Sequence, residues 1–248
     1  MQSNSVIDRL LDILCLFKEG KESWSIDDIA QMVNLPKSTS YRLVGALQER
    51  GFLEKSGTSH YQLGITFMRL SAVAVSSNRD IRLMAMPSMK RIADTVKESV
   101  SLMRLMNHQV VCVESIEGQY SLRVSIQQGR IQPLHAGASS RVLLAHLPEE
   151  DWGKYLTFPL ERYTETTITD FDALCENLQT IRRVGYAISN GEVDIGARAI
   201  AVPLMKNRDE VIAALSIEAP TTRMTDEVVS DYLDLLKREA VSIHQEHG

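Results

Sequence analysis

Lys37, Ser38, Thr39, Tyr41 and Arg42 put two cations and three hydroxyls within one short stretch. Lysine and arginine can neutralise phosphates or read guanine edges, and hydroxyls near a helix N-terminus suit phosphate oxygens. Ser38 and Thr39 can equally cap a helix, and Tyr41 can pack against its neighbours. Lys55 and His60 carry the same choice between a phosphate contact and a solvated surface. A second cluster, Gly137-Ala138-Ser139-Ser140, invites a search for a nucleophile. It is not a G-x-S-x-G elbow, because Arg141 stands two places after Ser139. Neither a dinucleotide fingerprint nor a P-loop appears, so no catalytic residue is assigned. His135 lacks the paired His or Cys spacing of a metal site, and no metal or cofactor is expected. Cys15, Cys112 and Cys175 are widely spaced, which fits reduced thiols. A redox sensor needs an exposed, low-pKa thiol, and none has basic neighbours in sequence. Cys112, within Val111-Cys112-Val113, reads as a buried structural thiol, and the ten methionines as core filler.

The elements that must position these residues follow from periodicity. Val6 to Phe17 carries a broad apolar helical stripe that ends at Lys18-Glu19-Gly20. A second helix starts at Ser25, whose hydroxyl can cap free N–H groups; a phosphate contact from it is secondary. Asp27 and Asp28 favour its positive end. Asn34-Leu35-Pro36 breaks it, and a third helix runs to about Arg50, with Gly51 as its stop. Leu43, Val44 and Leu47 face inward, leaving the hydroxyl and cation cluster near the exposed N-terminal half. Phe52–Lys55 and His60–Gly64 flank a Gly-containing turn and read as a β-hairpin. Three helices, a short turn and a hairpin make a winged helix-turn-helix, a module that puts one helix into a DNA major groove.

Residues 1–64 hold seven Lys and Arg against eight Asp and Glu, so non-specific attraction to phosphate is weak. Residues 37–60 hold four bases against two acids, which concentrates the positive field on the third helix and the wing. Residues 65–78 read as a helix joining two domains. A further helix follows over Asp80–Lys97, with Pro87 early enough to kink it. Strand-like runs come at Ser99–Met106, Val110–Ser115 and Leu122–Gln127, then helices at Ala138–Leu147, Glu149–Leu156 and Phe171–Val184. Strands return at Tyr186–Ser189, Arg198–Met205 and Val211–Glu218, before a last helix from Thr225 to about Glu246. This order describes an α+β domain over 79–248.

Composition agrees. The chain has 248 residues, 44% hydrophobic and 24% charged, too apolar for a disordered chain and enough for two domains. No window has the run of about 18 apolar residues that a membrane span needs. The start, Met1-Gln2-Ser3-Asn4-Ser5, lacks the order of a signal peptide. A cytoplasmic protein without a membrane partner is expected. With a net charge of −5, any nucleic-acid surface must be a local patch.

The sequence resembles the IclR family of bacterial transcriptional regulators along nearly its whole length. The head carries Ser25-Ile26-Asp27-Asp28-Ile29-Ala30, Leu35-Pro36-Lys37-Ser38-Thr39, Tyr41-Arg42-Leu43, Gly51-Phe52-Leu53 and Tyr61-Gln62-Leu63-Gly64. The tail carries Pro133-Leu134-His135-Ala136-Gly137-Ala138-Ser139, Arg183-Val184-Gly185-Tyr186-Ala187, Gly191-Glu192, Ala199-Ile200-Ala201-Val202-Pro203 and Ala213-Ala214-Leu215-Ser216. Where the family commonly has Gly-Lys, this chain has Ser140-Arg141, an extra hydroxyl and a larger cation. The resemblance implies an α+β protein: a winged helix-turn-helix joined by a linker helix to a GAF-like effector-binding domain. Its implied partners are double-stranded operator DNA with pseudo-palindromic half-sites, a small-molecule effector (most often an organic or aromatic acid), and further copies of itself as a homodimer or dimer-of-dimers tetramer.

The resemblance also implies a pocket around Gly137 and Ala138, Ser189, Ala197 to Ala199, and Ser216 to Glu218, closed by Tyr120 and Arg123. The chemistry fits. Gly137-Ala138 starts a helix whose free N–H groups can hold a carboxylate. Ser189 and Ser216 can supply hydroxyls. Arg123 is either a bidentate carboxylate clamp or a surface arginine. Glu218 in that pocket disfavours a second acidic group on the ligand and suits a hydroxyl or amine.

Overall fold

A computed structural model describes residues 5–18, 20–77, 79–206 and 210–245, without the side chains of 74–77, 79, 80, 244 and 245. Asn78 and Glu246, expected as the last residues of two helices, lie outside the described residues. The chain forms two compact units, Met1–Asn78 and Arg79–Gly248.

The first unit contains α1 (Val6–Leu14), β1 (Ser23–Ser25), α2 (Ile26–Met32), α3 (Lys37–Glu49), β2 (Leu53–Ser56), β3 (His60–Leu63) and α4 (Ile65–Ser77). Ser5 caps α1 by accepting the Asp8 N–H at 3.1 Å. The helix stops at Leu14, before Phe17 where its apolar run ends, and the carbonyl of Leu16 beyond it accepts the Trp24 indole N–H at 3.1 Å. Ser25 caps α2 through the Asp28 N–H. Asn34 then takes a left-handed turn, φ 51°, which an asparagine tolerates, and Pro36 opens α3. Ile13, Trp24, Ile29, Leu43, Val44, Leu47 and Leu53 close a small core between the three helices and the sheet.

That sheet has the order β1-β3-β2, all antiparallel. The hairpin β2–β3 agrees with the sequence. β1 does not appear there, since three residues are too few to show a period. Gly64 is required where the hairpin closes: a Cβ there would stand 2.3 Å from the Gly51 carbonyl oxygen.

The second unit is built on a six-stranded antiparallel sheet of order β6-β5-β4-β9-β8-β7. Its strands are β4 (Ser99–Met106), β5 (Gln109–Ile116), β6 (Ile131–Gln132), β7 (Ala187–Asn190), β8 (Ala197–Met205) and β9 (Val211–Pro220). Helices α5 (Arg79–Val96), which runs through Pro87, and α8 (Asp226–Gln245) join the core on one face with Val100, Leu102, Leu215 and Ile217. Helices α6 (Ala138–Ala145) and α7 (Phe171–Val184), with a 3-10 turn over Glu149–Tyr155, join the core on the other with Met103, Ala201 and Ala214. The alternation along β4 and β9 divides the side chains between the two faces.

Leu122–Gln127 is a correction: it is irregular, not a strand. Its alternation has another origin. Ile126 is buried and Val124 half-buried, while Arg123 and Ser125 turn outward to bind Glu117. The edge of β5 is instead paired by Ile131–Gln132 after a turn at Gly129. No helix among the described residues is long and apolar enough to cross a membrane.

Ile92 is fully buried between α5 and the sheet. Ile92→Ala should lower the unfolding free energy by about 2–5 kcal/mol, read by urea denaturation; an unchanged midpoint would contradict this packing.

Candidate functional site

Two sites take shape, one in each unit. In the first, the buried stripe of α3 (Ser40, Leu43, Val44, Leu47) turns the opposite side outward. Ser38, Tyr41 and Arg42 are exposed and Thr39 is half-buried. Among the described residues no side chain caps α3, so Ser38 and Thr39 are not spent on capping and its first N–H groups stay open. Ser40 is the hydroxyl that turns back, towards the Pro36 carbonyl at 3.4 Å. Arg42 and Lys55 are exposed and make no ion pair among the described residues. His60 sits on β3 with Nδ1 3.3 Å from the Ser59 hydroxyl.

Two expected DNA contacts are tied up inside the unit. Lys37 pairs with Asp27 of α2 at 2.6 Å, and the hydrogen bond and charge of Asp27 push its pKa up. Ser25 accepts from the Asp28 N–H and donates to its carboxylate at 2.8 Å, so its hydroxyl is fully used as a cap.

The second site is a small cleft on the α6–α7 face of the large sheet. Cross-strand register builds its floor. Ser189 of β7 faces Ala199 of β8, Ala199 faces Glu218 of β9, and Glu218 faces Ser99 of β4. Four of the expected residues line it: Ser189, Ala197, Ala199 and Glu218. Val124, Ile126 and Val193 add apolar wall, Arg130, Glu192, Asp194 and Arg198 add charge, and Gln132 adds an amide.

Glu218 is 3% exposed. Its Oε1 accepts from the Ser101 hydroxyl at 2.6 Å and from the Ser216 hydroxyl at 2.5 Å, while its Oε2 is buried without a partner among the described residues. Burial pushes this carboxyl up to about 7, and the two serine hydrogen bonds pull partly the other way. Ser216 therefore acts beneath the cleft, holding Glu218, and does not line it.

Gly137 and Ala138 are buried at the start of α6 but do not line the cleft. The Gly137 N–H donates to Glu192 at 3.0 Å, so an internal carboxylate occupies that position. Arg141 pairs with the same carboxylate and donates to the Ile188 carbonyl at 2.7 Å and to Asn177. Tyr120 and Arg123 stand outside the cleft. Arg223 lies over the Tyr120 ring at 4.3 Å, and Arg123 is exposed and clamps Glu117 through two N–H groups.

Ser101, Arg130, Glu192 and Asp194 were not anticipated as site residues. For Ser101 a signal existed: Ser99 and Ser101 alternate with apolar Val100 and Leu102, marking a polar stripe on a buried strand. The other three sit in loops, where no period reveals direction. Cys112 is 1% exposed and its thiol is pushed up to about 12, first by burial and then by the nearby Glu218 charge. A thiol held protonated is a poor nucleophile. His135 bonds locally, with Nε2 2.8 Å from the Glu161 carbonyl.

Comparison with known proteins accounts for both units. Residues 6–57 match the IclR helix-turn-helix domain, and residues 73–245 match the bacterial transcriptional regulator IclR C-terminal domain. The chain is 32% identical over 248 residues to the HTH-type transcriptional regulator KdgR of Escherichia coli, covering 99% of this chain and 94% of that protein. It is 29% identical over 246 residues to KipR of Bacillus subtilis, covering 99% and 98%. A solved IclR homolog from Microbacterium hydrocarbonoxydans, complexed with 4-hydroxybenzoate, superposes with a TM-score of 0.83 at 30% identity, covering 98% of each chain.

Glu218 makes stability depend on pH in a defined direction. A carboxyl raised from 4.5 to about 7 binds its proton more tightly in the folded state. Stability therefore falls as pH rises from about 4.5 to 7, and the penalty is full above that. Glu218→Gln removes it. The melting temperature of the variant relative to the parent should rise from pH 5 to pH 8, by the equivalent of roughly 3 kcal/mol at most; a constant difference would mean that Glu218 is ionised throughout.

Proposed function

The chain belongs to the IclR family of bacterial transcriptional regulators, and on that premise we propose that it is a cytoplasmic regulator whose grip on a pseudo-palindromic operator is set by a small carboxylic acid. Residues 1–64 serve as the DNA-binding head, 65–78 as the linker helix and 79–248 as the effector domain. The observation that carries the DNA reading is the uncapped, exposed start of α3, which presents Ser38, Thr39, Tyr41 and Arg42 together. Open N–H groups and unused hydroxyls hold phosphate, and Arg42 reads or neutralises. Lys37 exchanges Asp27 for phosphate at little cost, because an exposed pair is screened by water and salt. Lys55 and His60 contribute from the wing.

With a head of net charge −1, general attraction to DNA is slight, so affinity rests on a few placed contacts. The acid class is supported by the relative that holds 4-hydroxybenzoate and by the cleft in this chain. Control works by population shift. The acid binds one arrangement of the homodimer, or of a dimer-of-dimers tetramer, better than another, and the linker helix transmits the difference to the spacing of the heads. Two heads related by a two-fold axis require inverted half-sites.

Selection of genomic fragments by the purified protein should enrich an inverted repeat, and carboxylic acids such as 4-hydroxybenzoate should shift its affinity. Arg42→Ala should weaken binding to the enriched repeat by about tenfold to a hundredfold, the worth of one base or phosphate contact, in fluorescence anisotropy at fixed salt. Equal binding by parent and variant would remove α3 from the interface.

A further inference from the structure

Resting on the acid-effector reading above, we propose that the cleft is built for a hydroxy acid held in one direction, with its hydroxyl inward on Glu218 and its carboxylate outward on Arg130. Arg130 and Glu218 are then the two residues that set ligand specificity, and both line the same cleft.

The inner end is defined by an unmet atom. Glu218 Oε2 is buried without a partner among the described residues, while Oε1 already takes the hydroxyls of Ser101 and Ser216. A buried polar atom left unpaired is unfavourable, so a group that meets it binds there. Glu218 makes no ion pair among the described residues, and the thiol of Cys112 beside it stays protonated. A second carboxylate at this end would face a like group in a desolvated place. A hydroxyl meets Oε2 in either protonation state, donating to the carboxylate or accepting from the acid. An ammonium serves only the ionised form and must give up its own hydration, and an uncharged aryl amine donates to the carboxylate but is a poor acceptor from the acid. That distinction selects the hydroxyl over the amine.

The outer end is defined by a loosely held cation. Arg130 is 44% exposed, and its guanidinium reaches Asp194 only at 3.5 Å, longer than an ordinary hydrogen bond. A guanidinium in that position can turn its fork to a ligand carboxylate. The competing sites are taken. Arg198, the other guanidinium of the cleft lining, donates to the Met224 carbonyl at 3.0 Å and to Asp226 at 2.6 Å; Arg123 is engaged with Glu117, and the Gly137 N–H is engaged with Glu192, whose charge Arg141 neutralises. Between the poles, Val124, Ile126, Val193 and Ala199 give the carbon frame an apolar seat.

The test is calorimetric titration of the full chain with matched probes: benzoate against 4-hydroxybenzoate, hexanoate against 6-hydroxyhexanoate, and 4-hydroxybenzamide, 4-aminobenzoate and terephthalate. The hydroxy acid of each pair should bind at least tenfold more tightly than its parent acid. Arg130→Gln should weaken both members of a pair by about the same factor of ten, and abolish the preference for 4-hydroxybenzoate over its amide. Glu218→Leu should erase the hydroxyl preference. Should that variant fail to fold, Glu218→Gln should admit terephthalate, which the parent excludes. Tighter binding of 4-aminobenzoate or terephthalate to the parent, or unchanged affinities in Arg130→Gln, would overturn the proposal. If acids bind and shift operator affinity with no hydroxyl preference, this inference falls and the regulator reading stands. If no probe binds and none shifts operator affinity, both fall.

Discussion

The ion pair between Arg141 and Glu192 holds the effector domain's functional face together. Its side chains are 3% and 9% exposed. Two charges taken that far from water are tolerated when most of their remaining donors and acceptors are also met, and here Arg141 Nε alone of the pair's polar atoms is buried without a partner among the described residues. Glu192 accepts the Gly137 N–H, and Arg141 donates to Asn177 of α7 and to the carbonyl of Ile188 in β7. The start of α6, the middle of α7, strand β7 and the loop after it are thereby fixed to one another. Without either partner a buried charge would stand uncompensated, a loss of about 3–5 kcal/mol.

The loop so fixed is the wall of the cleft. Glu192, Val193 and Asp194 lie between Gly191 and Gly196, both at positive φ. Three threonines secure its entry from outside: Thr166 donates to the Asn190 carbonyl, Thr164 to that of Gly191 and Thr167 to that of Glu192. A ligand wall made of loop would ordinarily be soft. Here a buried charge and a set of carbonyl contacts make it part of the scaffold, and the groups left adjustable include Glu218, whose Oε2 is unmet, and the loosely held Arg130.

The head solves a similar problem with less material. Its core is small, and α3 is positioned by a buried stripe, a left-handed Asn34 and an opening proline rather than by charge. The exposed polar groups at the start of that helix are thus spared from structural duty, except Lys37, which is held by Asp27, while the buried Ser40 turns back to the Pro36 carbonyl. The contrast between the units is functional. A DNA-reading surface must keep its donors open to an outside partner, whereas a cleft for a small ligand must fix most of its polar groups and leave few.

What the sequence determined alone is what depends on neighbours along the chain. The spans of β4 and α7, the capping by Ser25 and the β2–β3 hairpin follow from period, cap chemistry and turn residues, which act over a few positions. So does the exposed cluster on α3. What only the tertiary structure decided is who meets whom across long separations. Arg141 and Glu192 are 51 residues apart, and Ser101 and Glu218 are 117 apart. The same folding spent the Gly137 N–H on an internal carboxylate, left Arg123 outside and brought Arg130 in. It also made Leu122–Gln127 an irregular cover rather than a strand, since β5 found its edge partner in Ile131–Gln132. A side chain's type is written in the sequence, but whether its hydrogen bonds are already taken is settled only when distant segments compete for them in the folded chain.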